Sequence, residues 1–220
     1  MSENKDKIVA INNTKKVYIH VGPPKTGSST IQNWCNTNSS ILASHGVMYP
    51  IHPTYNNGAS SGQTSNVLNG DRTLNEDQTF LKKILDQFNY SNCSILLLSS
   101  EDFSNPINIG FIEDFFIHTD LEFKFIYYVR NINDFILSLY NQSVKKDSYT
   151  NKISSYISEL VDFYYSRMLT SNVDRAIFRP YHKNLFKGGN IVSDILFTIG
   201  IKNIDVILDR SLNINTSYSL

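Results

Sequence analysis

Two hydrophobic patterns alternate along this chain: short continuous apolar runs, and longer stretches in which apolar residues return every three or four positions. "KVYIHV" is a short β-rich run ended by Gly22-Pro23-Pro24, and helical character begins at "SSTIQNWC". "SHGVMYP" fits another short extended piece, and Ile51 to Gly70 has the glycine, serine and asparagine content of a long surface loop. In "NEDQTFLKKILDQF", Phe80, Leu81, Ile84, Leu85 and Phe88 form one helical stripe. "SILLLSS" suits a central strand buried on both faces, and Glu101 and Asp102 follow it. "FIEDFFIH" then reads as a short helix and "EFKFIYYVR" as a strand. "INDFILSLYNQSVKK" reads as a helix with Asp134 in its first turn and lysines in its last. "ISSYISELVDFYYSRML" continues the helical pattern, "RAIFRPY" is a strand, "NIVSDILFTIGI" a helix and "DVIL" a last short strand.

Strands alternating with helices predict a three-layer α/β fold, a central parallel sheet flanked by helices, with ligands beyond the carboxyl ends of the strands. Gly22 to Ser29, Glu101 and Arg130 all follow strands, so one sheet edge gathers them. The 220 residues, 41% hydrophobic, fit one core: a single domain over residues 17–220 behind a polar tail, residues 1–16. Its end, where further helix is expected, suggests a shortened C-terminus.

Formal charges cancel, so no global field draws in nucleic acid or an anionic membrane, and any anion site must be local. The N-terminus lacks a cleavable apolar core, and no run approaches the roughly 18 apolar residues of a membrane span, which gives the expectation of a cytoplasmic protein. Cys35 and Cys93 lie far apart without neighbouring ligands at metal spacing and read as reduced structural thiols; no metal site is expected.

The chemistry starts at "VYIHVGPPKTGSSTIQ". Gly22 and Gly27 have the spacing of the phosphate loop G-x-x-x-x-G-K-[ST], yet Ser28 and Ser29 stand where lysine and Ser/Thr belong, and Lys25 lies inside the loop. Such a loop presents successive N–H groups beside a helix N-terminus and binds phosphate without metal. Ser28, Ser29 and Thr30 add hydroxyls. An ordinary Gly/Pro turn before a helix explains G-x-x-x-x-G equally well, but a cation inside the loop favours an anion site. Arg130 closes the strand "KFIYYVR", and Ser138 follows on the next helix. The pair is suited to clamp a second phosphate, although a lone arginine after a strand is more often a surface ion-pair partner.

These residues resemble the sulfotransferases that use 3′-phosphoadenosine 5′-phosphosulfate (PAPS). "PKTGSST", Pro24 to Thr30, resembles their 5′-phosphosulfate loop, and "VRNINDFILSLYNQ" resembles their 3′-phosphate motif of Arg, seven residues, then Ser. "LLLSSEDFS" and "FRPYHKNLFKGGNIVSDILFTIGI" are similar to segments of bacterial carbohydrate sulfotransferases, and "NINTSYSL" resembles a later Asn/Ser motif of that group. Ser28-Ser29 replaces the commoner Thr-Thr. The glycine-rich C-terminal phosphate segment of the cytosolic small-molecule branch is missing, which favours the carbohydrate branch. The resemblance implies a PAPS donor held by Pro24, Lys25, Thr26, Gly27, Ser28, Ser29, Thr30, Arg130 and Ser138, with adenosine 3′,5′-bisphosphate (PAP) as product. It also implies a saccharide or glycoconjugate acceptor and no metal. PAPS has no γ-phosphate, so a lysine after Gly27 would lack a target, whereas Lys25 can stabilise the oxygen between phosphate and sulfuryl group.

For the base, Glu101 is the first candidate and His52, in the long loop, the second. Glu101 also reads as a capping or ion-pairing acid, and a lone loop histidine as a solvated one. His20 reads as strand packing, and His45, His118 and His182 as turn or helix-end residues. Tyr127, Tyr128, Tyr164 and Tyr165 suit either a sugar site or the core. Two other functions compete: a P-loop kinase with "ILLLSSED" holding Mg²⁺, and a non-catalytic nucleotide-binding module.

Overall fold

The structure, a computed structural model, describes residues 14–50, 74–147, 153–154, 157 and 173–202. Five parallel strands form one sheet: β1 (Lys16–Val21), β2 (Val47–Met48), β3 (Ile95–Ser100), β4 (Glu122–Val129) and β5 (Ala176–Pro180), in the order β2-β3-β1-β4-β5. Between and after them run α1 (Ser28–Thr37), α2 (Ser39–Ser44), α3 (Leu74–Tyr90), α4 (Pro106–Ile117), α5 (Ile132–Asp147) and α6 (Ile191–Thr198). This is the three-layer α/β fold that the alternating pattern predicts. The segment 153–169, for which a helical continuation is expected, lies outside the described residues apart from 153, 154 and 157, and so does the "DVIL" strand.

The apolar runs are continuous because the inner strands are covered on both faces. Along β4 the side chains divide by parity. Phe123, Phe125 and Tyr127 join Val17, Ile19, Leu96 and Leu98 against Leu81, Ile84 and Phe88 of α3 and Ile109, Ile112 and Phe116 of α4. Ile126 and Tyr128 face the other way and meet Ile31 and Trp34 of α1, Leu42 of α2 and Ile195 and Leu196 of α6. Tyr127 and Tyr128 are therefore core residues, both fully buried, and the sugar-site alternative does not hold for them. Cys35 and Cys93 are buried and unbridged.

Two helices differ from the pattern. α2 is not foreshadowed, because "SSILAS" is six residues with one buried position, Leu42. α4 begins before "FIEDFFIH", at Pro106, whose fixed φ and missing N–H suit a first helical position.

The far edge of the sheet is fastened by an ion pair between a buried carboxylate and a half-buried arginine. Asp194, in the first turn of α6, accepts hydrogen bonds from both Nε and Nη2 of Arg179 on β5, from the Tyr128 hydroxyl at 2.9 Å and from the Lys187 N–H at 2.7 Å. Burial pushes its carboxyl upward, but the donors, led by Arg179, outweigh burial and hold it below the ordinary carboxylate value. Asp194→Ala is expected to cost about 3 kcal/mol, because it leaves the buried Tyr128 hydroxyl and the half-buried Arg179 without their acceptor. A lowered urea midpoint with unchanged slope checks this. A depressed carboxyl stabilises fully above its unfolded-state value of about 4. The contribution fades as pH falls below that, so the gap between wild type and variant should narrow in acid.

Candidate functional site

Register brings the strand ends together. Val21 pairs with Ser100 on one side and with Tyr127 on the other, and the Gly22 N–H donates to the Ser100 carbonyl at 3.2 Å. The loop at Gly22, Glu101 after β3 and Arg130 after β4 therefore lie along one sheet edge, as expected for ligands beyond the carboxyl ends of strands.

The loop has an unusual backbone. Among the described residues, Lys25 is the one non-glycine residue with a positive φ, 66°, and Gly27 follows at 78°. A left-handed conformation costs an L-residue about 1–2 kcal/mol, so the surroundings must hold Lys25 there. Arg130 does so: its Nη1 donates to the Lys25 carbonyl at 3.0 Å. The Thr26 hydroxyl donates to the Pro23 carbonyl at 2.6 Å and ties the loop across its base. Gly27 caps α1, and its carbonyl accepts from Thr30 and Ile31. The first N–H groups of a helix have no intrahelical acceptor, and no acid occupies the first turn of α1, so the helix end retains its positive character.

Both loop glycines are sterically required. A Cβ at Gly22 would sit 2.1 Å from Ser28 Oγ, and one at Gly27 would sit 2.7 Å from Ile191 Cδ1 and 3.0 Å from Tyr181 Cε2. The candidate hydroxyls differ in placement. Ser28 is buried with no hydrogen-bond partner for Oγ among the described residues, Ser29 is exposed, and Thr30 is half-buried. Pro24, Lys25 and Gly27 are half-buried. A backbone shaped in this way, with an unpartnered buried hydroxyl and a lysine inside it, fits a phosphate-bearing ligand.

Below the loop, His20 is fully buried, with Nδ1 and Ser99 Oγ hydrogen-bonded at 2.8 Å; Gln32 of α1 donates to the same oxygen at 3.3 Å. This bridge ties α1 to the strand that leads into Glu101. Desolvation lowers the His20 pKa to about 3, so the ring is neutral. His20 is strand packing, as the sequence suggests, but with a polar duty.

Glu101 is half-buried, and its carbonyl accepts from the Ser104 N–H at 3.0 Å and hydroxyl at 2.7 Å, which turns the chain away after β3. Ser138 is half-buried on α5. His52 lies outside the described residues. Among those residues there is no cluster of His, Cys, Asp and Glu that could hold a metal ion, and no helix is long and apolar enough to cross a membrane.

Tyr181 was not singled out by its sequence context. It follows β5, its N–H donates to the Val129 carbonyl at 2.7 Å, its ring meets Gly27, and the Arg130 guanidinium lies 5.5 Å from the ring centre. The only hint in sequence is an aromatic residue directly after a strand-ending proline.

No protein-family profile matches the chain, and no curated protein sequence matches it significantly. Among solved structures, a sulfotransferase from Alicyclobacillus acidocaldarius superimposes with a TM-score of 0.51 at 13% identity, over 92% of this chain and 87% of the other. The chain shares its fold with that protein. More distant likenesses are the sulfotransferase domain from the curacin biosynthetic pathway (TM-score 0.48, 13% identity, 86% and 75% covered) and the YorR protein of Bacillus subtilis, solved with phosphorylated GDP (0.44, 14%, 84% and 95%). At such identities the likeness is one of fold, and a sulfotransferase fold leaves the chemistry to be argued from the loop, Glu101 and Arg130.

Proposed function

We propose that the protein transfers a sulfuryl group from PAPS to a hydroxyl of a saccharide or glycoconjugate. The observation that carries this reading is the strained Lys25, held inside a phosphate loop by the arginine of the expected 3′-phosphate motif. A donor with phosphates at both ends of its nucleoside needs two anion subsites, and Arg130 joins the strand end after β4 to the loop through its bond to the Lys25 carbonyl. PAPS, when bound, supplies the activated sulfuryl group. The loop backbone and the N-terminus of α1 hold the 5′-phosphate, Arg130 and Ser138 the 3′-phosphate, and the Lys25 ammonium neutralises the oxygen that separates from sulfur. Glu101 takes the proton of the acceptor hydroxyl while its oxygen bonds to sulfur, and His52 is the second candidate for that role. A loose in-line displacement of this kind needs positioning and charge stabilisation more than covalent help, by analogy with phosphoryl transfer.

Thermal-shift titration with PAP, ATP plus Mg²⁺, and AMP tests the donor, because binding raises apparent stability according to affinity. The largest rise is expected with PAP. Preference for ATP plus Mg²⁺ would point to a kinase, and PAP binding without transfer to any hydroxyl would point to a nucleotide-binding module. Arg130→Ala should then remove a charge-assisted contact of about 1.5–3 kcal/mol and weaken PAP more than tenfold, with a smaller loss for AMP. Ser138→Ala should act in the same direction more mildly. Equal losses for the two nucleotides would argue that the pair supports the fold instead.

A further inference from the structure

We propose that Tyr181 and Arg130 act as one brace on the phosphate loop, with Tyr181 a positioning residue that couples the 3′-phosphate subsite to the setting of Lys25. This rests on the PAPS reading for its ligand, although the brace itself is read from geometry. Arg130 makes two kinds of contact on its way to the site: Nη1 donates to the Lys25 carbonyl at 3.0 Å, and the guanidinium stands 5.5 Å from the centre of the Tyr181 ring, within cation–π range. The same ring closes on Gly27, where an added Cβ would lie 3.0 Å from its Cε2. One aromatic side chain therefore touches both the loop at Gly27 and the arginine that holds the loop at Lys25. These are the two positive-φ positions of the loop.

Tyr181 is itself firmly seated. Its N–H donates to the Val129 carbonyl at 2.7 Å, which extends the β4–β5 ladder by one bond beyond Pro180 and fixes it beside Arg130. Two residues earlier, Arg179 is locked by Asp194, and residues two apart on an extended chain share a face. Phe186 packs edge-on against the ring at 5.6 Å between centres. The brace is thus anchored to the sheet and to α6, and its free end presses on the loop. An anion that draws Arg130 toward itself must also act on the Lys25 carbonyl, and an anion in the loop must act back on Arg130. Coupling of two sites through a shared element is reciprocal.

The test compares wild type, Tyr181→Ala and Tyr181→Phe by calorimetry with PAP, AMP and adenosine 3′-monophosphate, alongside hydrogen–deuterium exchange of the free protein. Tyr181→Ala is expected to weaken PAP by about tenfold or more and to shrink the advantage of PAP over each monophosphate. It should also speed exchange at the loop amides from Lys25 to Thr30 while those of β3 stay protected. Tyr181→Phe keeps the ring and should restore wild-type values. The brace is overturned if Tyr181→Ala, still folded, binds PAP within twofold of wild type with unchanged loop exchange. A uniform loss for all three ligands, with exchange rising across β3 as well, would likewise reduce Tyr181 to a residue of the general fold. If wild type binds no PAP at all, the donor reading fails, and the exchange comparison alone decides the brace.

Discussion

Replacing Lys25 by alanine is expected to lower turnover by about 10²–10³-fold, the range seen when one preorganised group facing developing charge is removed. Affinity for PAP should fall far less, because in the proposed reaction the ammonium would act on charge that grows only as the sulfuryl group departs. The structure adds a control. Arg130 bonds to the backbone carbonyl of Lys25 and not to its side chain, so the brace persists in the alanine variant. Lys25→Gly goes further, since glycine adopts a φ of 66° without steric cost and the free protein should hold or raise its Tm. Turnover lost at undiminished stability would identify the ammonium as the missing element. Near-normal turnover in either variant, measured with any accepted saccharide, would undo the assignment of the loop.

Glu101→Gln is expected to lower the rate by about 10²–10⁴-fold, as for loss of a general base, and to remove the acidic limb of the pH profile. Donor binding and fold should survive, because Glu101 serves the chain turn through its carbonyl, which accepts from Ser104, and the amide is isosteric. Calorimetry with PAP beside turnover assays separates the two effects. A variant with near-normal turnover would transfer the role to His52 or another loop residue.

The strands were legible because each inner strand is covered on both faces, so burial writes itself into sequence as an apolar run such as "ILLLSS". The glycine loop was legible because its glycines are forced: Ser28 crowds Gly22, and Tyr181 with Ile191 crowds Gly27. Helix α2 was not, since six residues, half of them serine, with a single buried position cannot set a period. Nor were the contacts that shape the site. Arg179 meets Asp194, Tyr181 meets Gly27 and Arg130 meets Lys25 only because the order β2-β3-β1-β4-β5 lays distant segments side by side. Local spacing carries no trace of a partner set by strand order. That Lys25 is strained is equally invisible in sequence, where a lysine gives no sign of its φ.

The neutral His20 beneath the loop gives the fold a built-in acid limit. An imidazole held near a pKa of 3 in the fold returns to about 6.5 in the unfolded chain, so the unfolded state gains protons first as pH drops below that value. Loss of stability in acid therefore begins below about pH 6.5, before the carboxylates titrate, through the imidazole that links β1 to β3. Any fall in rate in acid would then combine two processes, protonation of the proposed base Glu101 and loss of stability through His20. Circular dichroism recorded across the same pH series tells them apart.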